Sequence, residues 1–177
     1  IGQQDAAIAV SAITEQAFAN QNANDPRAIA SLVPNVTLTL QPAFNAVAGG
    51  IRGTGSISIL VTEDPSVAFL VDDFGLNHVQ SQFIEMFDIE QIEVYRGPQG
   101  TLFGKNATGG VISVTTKKPV LDEWSGEFSA MAGQYDWNEG SINKFKLALN
   151  APIVEGKVAM RIAAIWDKSQ GFYTNSK

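Results

Sequence analysis

The chain has 177 residues, a formal net charge of −6 and 45% hydrophobic residues, so it carries enough apolar material for a folded core. Its basic residues form no cluster larger than Lys117-Lys118, which argues against a nucleic-acid surface because phosphate binding needs a concentrated basic patch. Cysteine is absent and His78 is the one histidine. Disulfides, thiol nucleophiles and multi-histidine metal sites are therefore excluded, and we expect no cofactor and no metal.

Residues 1–119 combine short strands with few helical signals. Apolar or alternating segments predict strands at residues 7–13, 36–40, 67–71, 89–95 and 111–116. Pro26 predicts the start of a short helix that Pro34 ends, and residues 83–87 suggest a helical turn. Residues 41–50 contain a proline, asparagines and a glycine pair and are predicted as a loop, as are residues 54–65.

The pattern changes after Pro119. Residues 127–135, 143–153 and 157–167 alternate apolar and polar side chains over about ten positions each, the length of a strand in a transmembrane barrel wall. Phe145, Leu147 and Leu149 share one face of the middle segment, while Lys146 and Asn150 share the other. An antiparallel meander with one solvated face has the same alternation, so periodicity alone leaves both interpretations open. No apolar run approaches the roughly 20 residues of a membrane-spanning helix.

A long central motif carries a resemblance to a known family. The segment 87–112 closely resembles the plug signature of TonB-dependent outer-membrane receptors; its sequence is FDIEQIEVYRGPQGTLFGKNATGGVI. Segments 51–53, 64–72 and 115–119 stand in the family's order and spacing, and segment 149–157 resembles the first periplasmic hairpin of its barrel.

The resemblance implies an α+β plug domain, with a small mixed sheet and short helices, over residues 1–119. Residues 120–177 are then the first antiparallel strands of a transmembrane β-barrel that has about 22 strands in this family. Only three candidate strands are present and the family's TonB box has no match, so we expect the chain to be a fragment of a larger receptor.

The implied function is active transport across the outer membrane of a Gram-negative bacterium, not catalysis. Such a receptor binds a scarce solute, such as an iron-siderophore, cobalamin, haem or a glycan, and imports it by TonB-driven rearrangement of the plug. The implied partners are TonB with its inner-membrane complex, outer-membrane lipid and the small-molecule substrate, with no nucleic acid. The alternative is a soluble α+β ligand-binding domain with an antiparallel meander.

The resemblance places Arg52, Glu93 and Arg96 between the plug and the barrel wall. Arginine pairs well with carboxylates where water is scarce, so these charges are predicted to lie close together and to lock the plug in place. The alternative is that they are solvated strand charges.

The glycines of the motif are expected to allow tight turns and close approach of the plug to the wall; they are Gly53, Gly97, Gly100, Gly104, Gly109 and Gly110. A phosphate-binding loop is excluded because Gln99 occupies the first glycine position of that motif and Asn106 replaces its Ser or Thr.

Ligand contacts are expected from plug loops that face outward, by the family's topology. The candidates share amide, hydroxyl, imidazole or aromatic groups suited to a polar, partly planar solute; they are Gln41, Phe44, Asn45, Ser56, Asn77, His78 and Gln80. These residue types are also ordinary in loops. Asp72-Asp73 is not expected to act as a catalytic acid pair, because neighbours on a strand point to opposite faces.

Overall fold

The computed structural model describes residues 9–19, 26–41, 46–56, 63–78, 80–82, 84–134 and 140–170. The chain forms two compact units, Ile1–Lys117 and Lys118–Lys177. Within the described ranges, no helix is both long and apolar enough to cross a membrane.

The first unit is built from short strands and three short helices. In chain order these are β1 (Ala9–Thr14), α1 (Glu15–Ala19), α2 (Arg27–Leu32), β2 (Val36–Gln41), β3 (Ala46–Ile51), β4 (Thr54–Ser56), β5 (Val67–Val71), β6 (Phe74–Gly75), β7 (Ile89–Arg96), α3 (Gly100–Phe103) and β8 (Gly110–Thr116).

The main sheet has the strand order β1-β7-β8-β5-β6. Strands β5 and β8 are parallel, and the other neighbours are antiparallel. A second sheet, in the order β2-β3-β4, consists of two antiparallel hairpins. The mixed sheet with few short helices agrees with the expected α+β plug.

The main sheet has a core on each side because successive residues of a strand point to opposite faces. The larger core contains Ile92 and Val94 of β7, Ile112 of β8 and Ile29 of α2, all at most 1% exposed. The smaller core contains Ala68 and Leu70 of β5, Val111 of β8 and Ala107, with Tyr95 and Phe103 packed against it.

Two hairpins of the first unit turn on residue pairs with positive φ. Arg52 and Gly53 have φ of 53° and 78°, and Asp72 and Asp73 have φ of 47° and 67°. Both pairs connect strands through two-residue loops, where positive φ at both positions matches the twist of the flanking strands.

Hydrogen bonds hold the second of these turns against the end of β8. The Asp72 carboxylate accepts hydrogen bonds from the Thr116 backbone N–H (2.9 Å) and from the Thr116 hydroxyl (2.7 Å). The Asp72 N–H donates to the Val114 carbonyl oxygen at 2.9 Å. Asp72 therefore ends a strand and ties its turn to β8, which explains why a left-handed backbone is tolerated at a non-glycine position.

The predicted strands in residues 36–40, 67–71, 89–95 and 111–116 are confirmed, and the strand at residues 7–13 is confirmed from Ala9 onward. The predicted helix after Pro26 is α2. It ends at Leu32 because Val33 precedes Pro34 and is extended, with φ −120° and ψ 120°.

Some loop and helix predictions are wrong. Residues 41–50, predicted as a loop, contain β3, in which glycines allow close backbone contact: a Cβ on Gly55 would lie 2.6 Å from the Gly50 Cα. The helical turn predicted at residues 83–87 is absent from its described part, residues 84–87. The short helices α1 and α3 were not expected from the periodicity.

The second unit contains β9 (Ser125–Gln134), β10 (Ser141–Val154) and β11 (Val158–Ser169), in the antiparallel order β11-β10-β9. Cross-strand pairs such as Phe145 with Trp166 and Leu149 with Ile162 lie on one face. The three alternating segments are therefore confirmed as strands, the first of them through Gln134, where the described range ends.

The two faces of β10 differ sharply. Phe145, Leu147 and Leu149 are 43%, 39% and 50% exposed, whereas Lys146 and Asn150 are 9% and 1% exposed. On the buried face, Lys144 forms an ion pair with Asp167 across the strands at 3.0 Å. The predicted separation of apolar and polar faces is confirmed. The apolar face is extended by neighbouring exposed side chains, which are Phe128, Met160, Ile162 and Trp166.

Candidate functional site

Two arginines meet at one end of the main sheet. Arg96 ends β7 and pairs in register with Gly110, the first residue of β8. The Arg52 guanidinium approaches the same end, because its Nη1 lies 3.7 Å from the position that a Cβ on Gly97 would occupy. The structure therefore brings the Arg52 turn to the chain immediately after Arg96.

The backbone at this end is too tightly packed for larger residues. Gly110 has φ 155°, and a Cβ there would collide with the Tyr95 carbonyl oxygen and lie 2.6 Å from Ile51 Cδ1. Gly109 bonds to the Ser66 carbonyl oxygen at 2.8 Å. The other motif glycines lie in or beside turns: Gly53 and Gly97 have positive φ, and Gly100 and Gly104 bound α3.

Arg96 lies on the face of β7 that carries the larger core, two residues after the buried Val94. Its Nε is buried and has no hydrogen-bond partner within the described part of the chain. A buried donor without an acceptor costs about 1–3 kcal/mol, and more when it is charged. The half-buried Arg96 guanidinium is thus a group that a carboxylate or carbonyl acceptor would stabilise.

Glu93 does not join the two arginines. It lies an odd number of residues from Arg96 on the same strand, so the two side chains point to opposite faces of the sheet. Glu93 instead accepts a hydrogen bond from the Tyr95 hydroxyl at 3.0 Å. The expectation that Arg52, Glu93 and Arg96 lie close together is therefore wrong for Glu93, because the two-residue period of the strand separates it.

Tyr95 lies with Glu93 on the face of the main sheet opposite Arg96, where it packs against the smaller core. Its ring packs against Phe103, with ring centroids 5.3 Å apart. Desolvation by burial raises the pKa of Tyr95 above its ordinary value of 10.0, and the hydrogen bond and negative charge of Glu93, together with the charge of Asp73, raise it further. The neutral phenol is the form that this site favours.

A recess of about 610 Å³ opens on the same face of the main sheet. Ala68 and Leu70 line the recess from the sheet. Surrounding loops contribute its charged and polar side chains, which are Asp64, Asp73, Asn77, His78 and Lys105. Asp64 and Lys105 form an exposed ion pair with 2.5 Å between Nζ and Oδ2. The recess therefore combines an apolar floor with polar groups of both charges.

Two of the seven predicted ligand contacts, Asn77 and His78, line this recess. Gln80 is half-buried and does not line it. Gln41 and Ser56 end β2 and β4, while Phe44 and Asn45 lie outside the described residues. Residue types alone did not single out Asp64, Asp73 and Lys105, which come together only through the fold.

Comparison with known proteins assigns the family. The family described as "TonB-dependent Receptor Plug Domain" matches residues 2–111. The chain belongs to the TonB-dependent receptor plug domain family. This assignment agrees with the mixed sheet and short helices of the first unit.

Two curated relatives of this TonB-dependent receptor chain are named as receptors. The pesticin receptor of Yersinia pestis is 34% identical over 83 residues, which are 46% of this chain and 12% of the relative. The ferrioxamine B receptor of Salmonella typhimurium is 30% identical over 127 residues, which are 70% of this chain and 17% of the relative. The chain thus spans less than a fifth of the length of these two relatives.

Solved receptor structures share the fold. The siderophore receptor PirA of Pseudomonas aeruginosa superposes with a TM-score of 0.68 at 25% identity, covering 92% of this chain and 29% of that one. The ferric yersiniabactin uptake receptor of Yersinia pestis gives a TM-score of 0.71 at 21% identity, covering 89% and 24%.

The Tyr95 environment predicts a pH-dependent contribution to stability. We expect Tyr95→Phe to lower the free energy of unfolding by about 1 kcal/mol at neutral pH, through loss of the hydrogen bond to Glu93. Because folding raises the pKa of Tyr95, this advantage of the wild type is fully present below pH 10.0 and shrinks as the pH rises through the raised pKa. Denaturant unfolding of both chains across that range measures it; an advantage that stays constant above pH 10.0 would contradict the assignment.

Proposed function

We propose that this chain is the plug and the first barrel strands of an outer-membrane receptor that imports iron-siderophores into a Gram-negative bacterium. The observation that carries the proposal is the plug-family match over residues 2–111, supported by a relative and a solved structure that are named siderophore receptors. The match favours the receptor over a soluble binding domain. Cobalamin, haem and glycans are the alternative cargoes.

Each unit has its own role in this proposal. Residues 1–119 act as the plug that closes the barrel, and residues 120–177 supply its first strands. The exposed apolar face of β9–β11, including Phe145 and Trp166, meets lipid, and the face with Lys146 and Asn150 points into the lumen. This orientation is favoured because a lysine or arginine at the bilayer midplane on the lipid face costs about 2–4 kcal/mol.

The recess on the first unit supports a role in ligand contact. Asn77 and His78 can donate to or accept from a polar solute, and Lys105 and Asp64 add charge at the same opening. The apolar floor can accommodate a planar or aliphatic part of the solute. No reaction is catalysed; the receptor binds cargo, and TonB with its inner-membrane complex supplies the energy.

Arg52 and Arg96 support a lock between plug and barrel. Two guanidinium groups at one sheet end repel each other unless anionic groups compensate them, and the buried Arg96 Nε has no acceptor among the residues that the structure describes. Carboxylates on the barrel wall would satisfy both requirements with paired hydrogen bonds. Glu93, on the opposite face, is not part of this arginine pair.

Uptake of a radiolabelled ferric siderophore tests the function. Cells that carry the complete receptor gene are expected to accumulate the iron complex only when TonB is intact, because the plug must rearrange for passage. A panel of hydroxamate, catecholate and phenolate siderophores, with cobalamin, haem and a glycan alongside, identifies the cargo class. TonB-independent uptake, or binding of none of these solutes, would refute the proposal.

The lock predicts a leak in the complete receptor. Arg96→Ala should loosen the plug and raise the passive influx of a large antibiotic, because its partner on the wall is left buried and unpaired at a cost of about 3–5 kcal/mol. Arg27→Ala is the matched control, since Arg27 is an exposed arginine at the start of α2. Equal antibiotic susceptibility of the Arg96→Ala strain and the wild type would argue against the lock.

A further inference from the structure

At the C-terminal end of the first unit, hydrogen bonds and an ion pair hold the chain in place. Asp72 holds the backbone and hydroxyl of Thr116 through two hydrogen bonds. The N–H of Lys117 donates to the Asp88 carbonyl oxygen at 2.9 Å, and the Lys117 ammonium forms an ion pair with Glu15 of α1. The chain is therefore held to the first unit up to Lys117.

In the second unit, the buried side chain of Asn150 holds the backbone at Val120 and Glu123. Asn150 of β10 is 1% exposed, and its Oδ1 accepts a hydrogen bond from the Val120 N–H at 2.9 Å. Its Nδ2 donates to the Val120 carbonyl oxygen at 3.0 Å and to the Glu123 carbonyl oxygen at 2.6 Å. The amide thus bonds both backbone polar groups of Val120, as a neighbouring strand would.

The tether is the segment between the last residue held to the first unit, Lys117, and the first residue held to the second unit, Val120. Only Lys118 and Pro119, both exposed, lie between Lys117 and Val120, and two extended residues span about 7 Å. Without the Asn150 contacts, the next element of the second unit is β9, which begins at Ser125. The tether would then contain residues 118–124, which extend to about 25 Å.

We propose that Asn150 is a positioning residue that shortens the tether between plug and barrel. The proposal rests on the proposed transport function. A two-residue tether lets the plug rearrange while its exit stays at one place on the wall. A seven-residue tether lets the pulled plug move farther from the wall before the chain becomes taut.

Amide hydrogen exchange tests the contact itself in the complete receptor. Asn150→Ala removes the acceptor for the Val120 N–H, so exchange at Val120 should become about tenfold faster or more. Asn143→Ala is the matched control, because Asn143 lies on the same strand but on the opposite face. Unchanged protection of Val120 in Asn150→Ala would overturn the proposal.

A tether of altered length tests its role in transport. Inserting five Gly and Ser residues between Lys118 and Pro119 adds the same slack as the loss of Asn150 while leaving that side chain in place. We expect Asn150→Ala and the insertion both to raise TonB-dependent influx of a large antibiotic several-fold, with siderophore affinity and the Asn143→Ala control unchanged.

The outcomes separate this proposal from the transport function. A leak in Asn150→Ala without one in the insertion variant would show that Asn150 acts through strand stability, and would overturn the tether role. If Asn150→Ala does not assemble, the insertion variant decides alone, and wild-type influx in it overturns the proposal. Absence of TonB-dependent uptake in the wild type refutes the transport function, whereas Val120 exchange still reports on the contact.

Discussion

The alternation of side chains along a strand is the constraint on which the placement of charge in this chain depends. In β7 it puts Arg96 on the side of the larger core and Glu93 with Tyr95 on the other side. In β10 the same period separates Phe145 and Leu147 from the buried Lys146. One geometric rule thus divides the first unit into an arginine side and a recess side, and the second unit into an apolar face and a polar face.

The two ends of the main sheet carry different features: the two arginines lie at one end, and the chain leaves the first unit at the other. Arg52 and Arg96 lie at the end where β8 begins, in a tightly packed backbone that accepts only glycine at position 110. At the other end of β8, Asp72 holds Thr116 where the chain leaves the first unit. The strand β8 spans the distance between the proposed lock and the exit, with most of its residues buried.

Most strands could be predicted from the sequence because their alternation is strong, as in β7, β10 and β11. The strand β3 could not, because Gly49 and Gly50 serve there as sites of close backbone contact and a glycine pair equally indicates a turn. The helix α3 has four residues, too few for a periodic signal. The family resemblance groups Glu93 with Arg96, but the two positions are three residues apart on one strand and therefore lie on opposite faces. The three bonds of Asn150 join positions about 30 residues apart, which no local pattern reveals.

The proposed function requires β10 to be a membrane strand with one face toward lipid and the other toward the barrel interior. Nitroxide labels placed singly at positions 145–148 of the complete receptor in bilayers test it most directly, by their collision rates with oxygen and with a water-soluble nickel chelate. We predict frequent oxygen collisions and rare nickel collisions at Phe145 and Leu147, on the exposed face that the proposal turns toward lipid, and rare oxygen collisions at Lys146 and Ala148, which are 9% and 0% exposed. Equal oxygen collision rates at all four positions, or higher rates at Lys146 and Ala148 than at Phe145 and Leu147, would refute the proposed orientation.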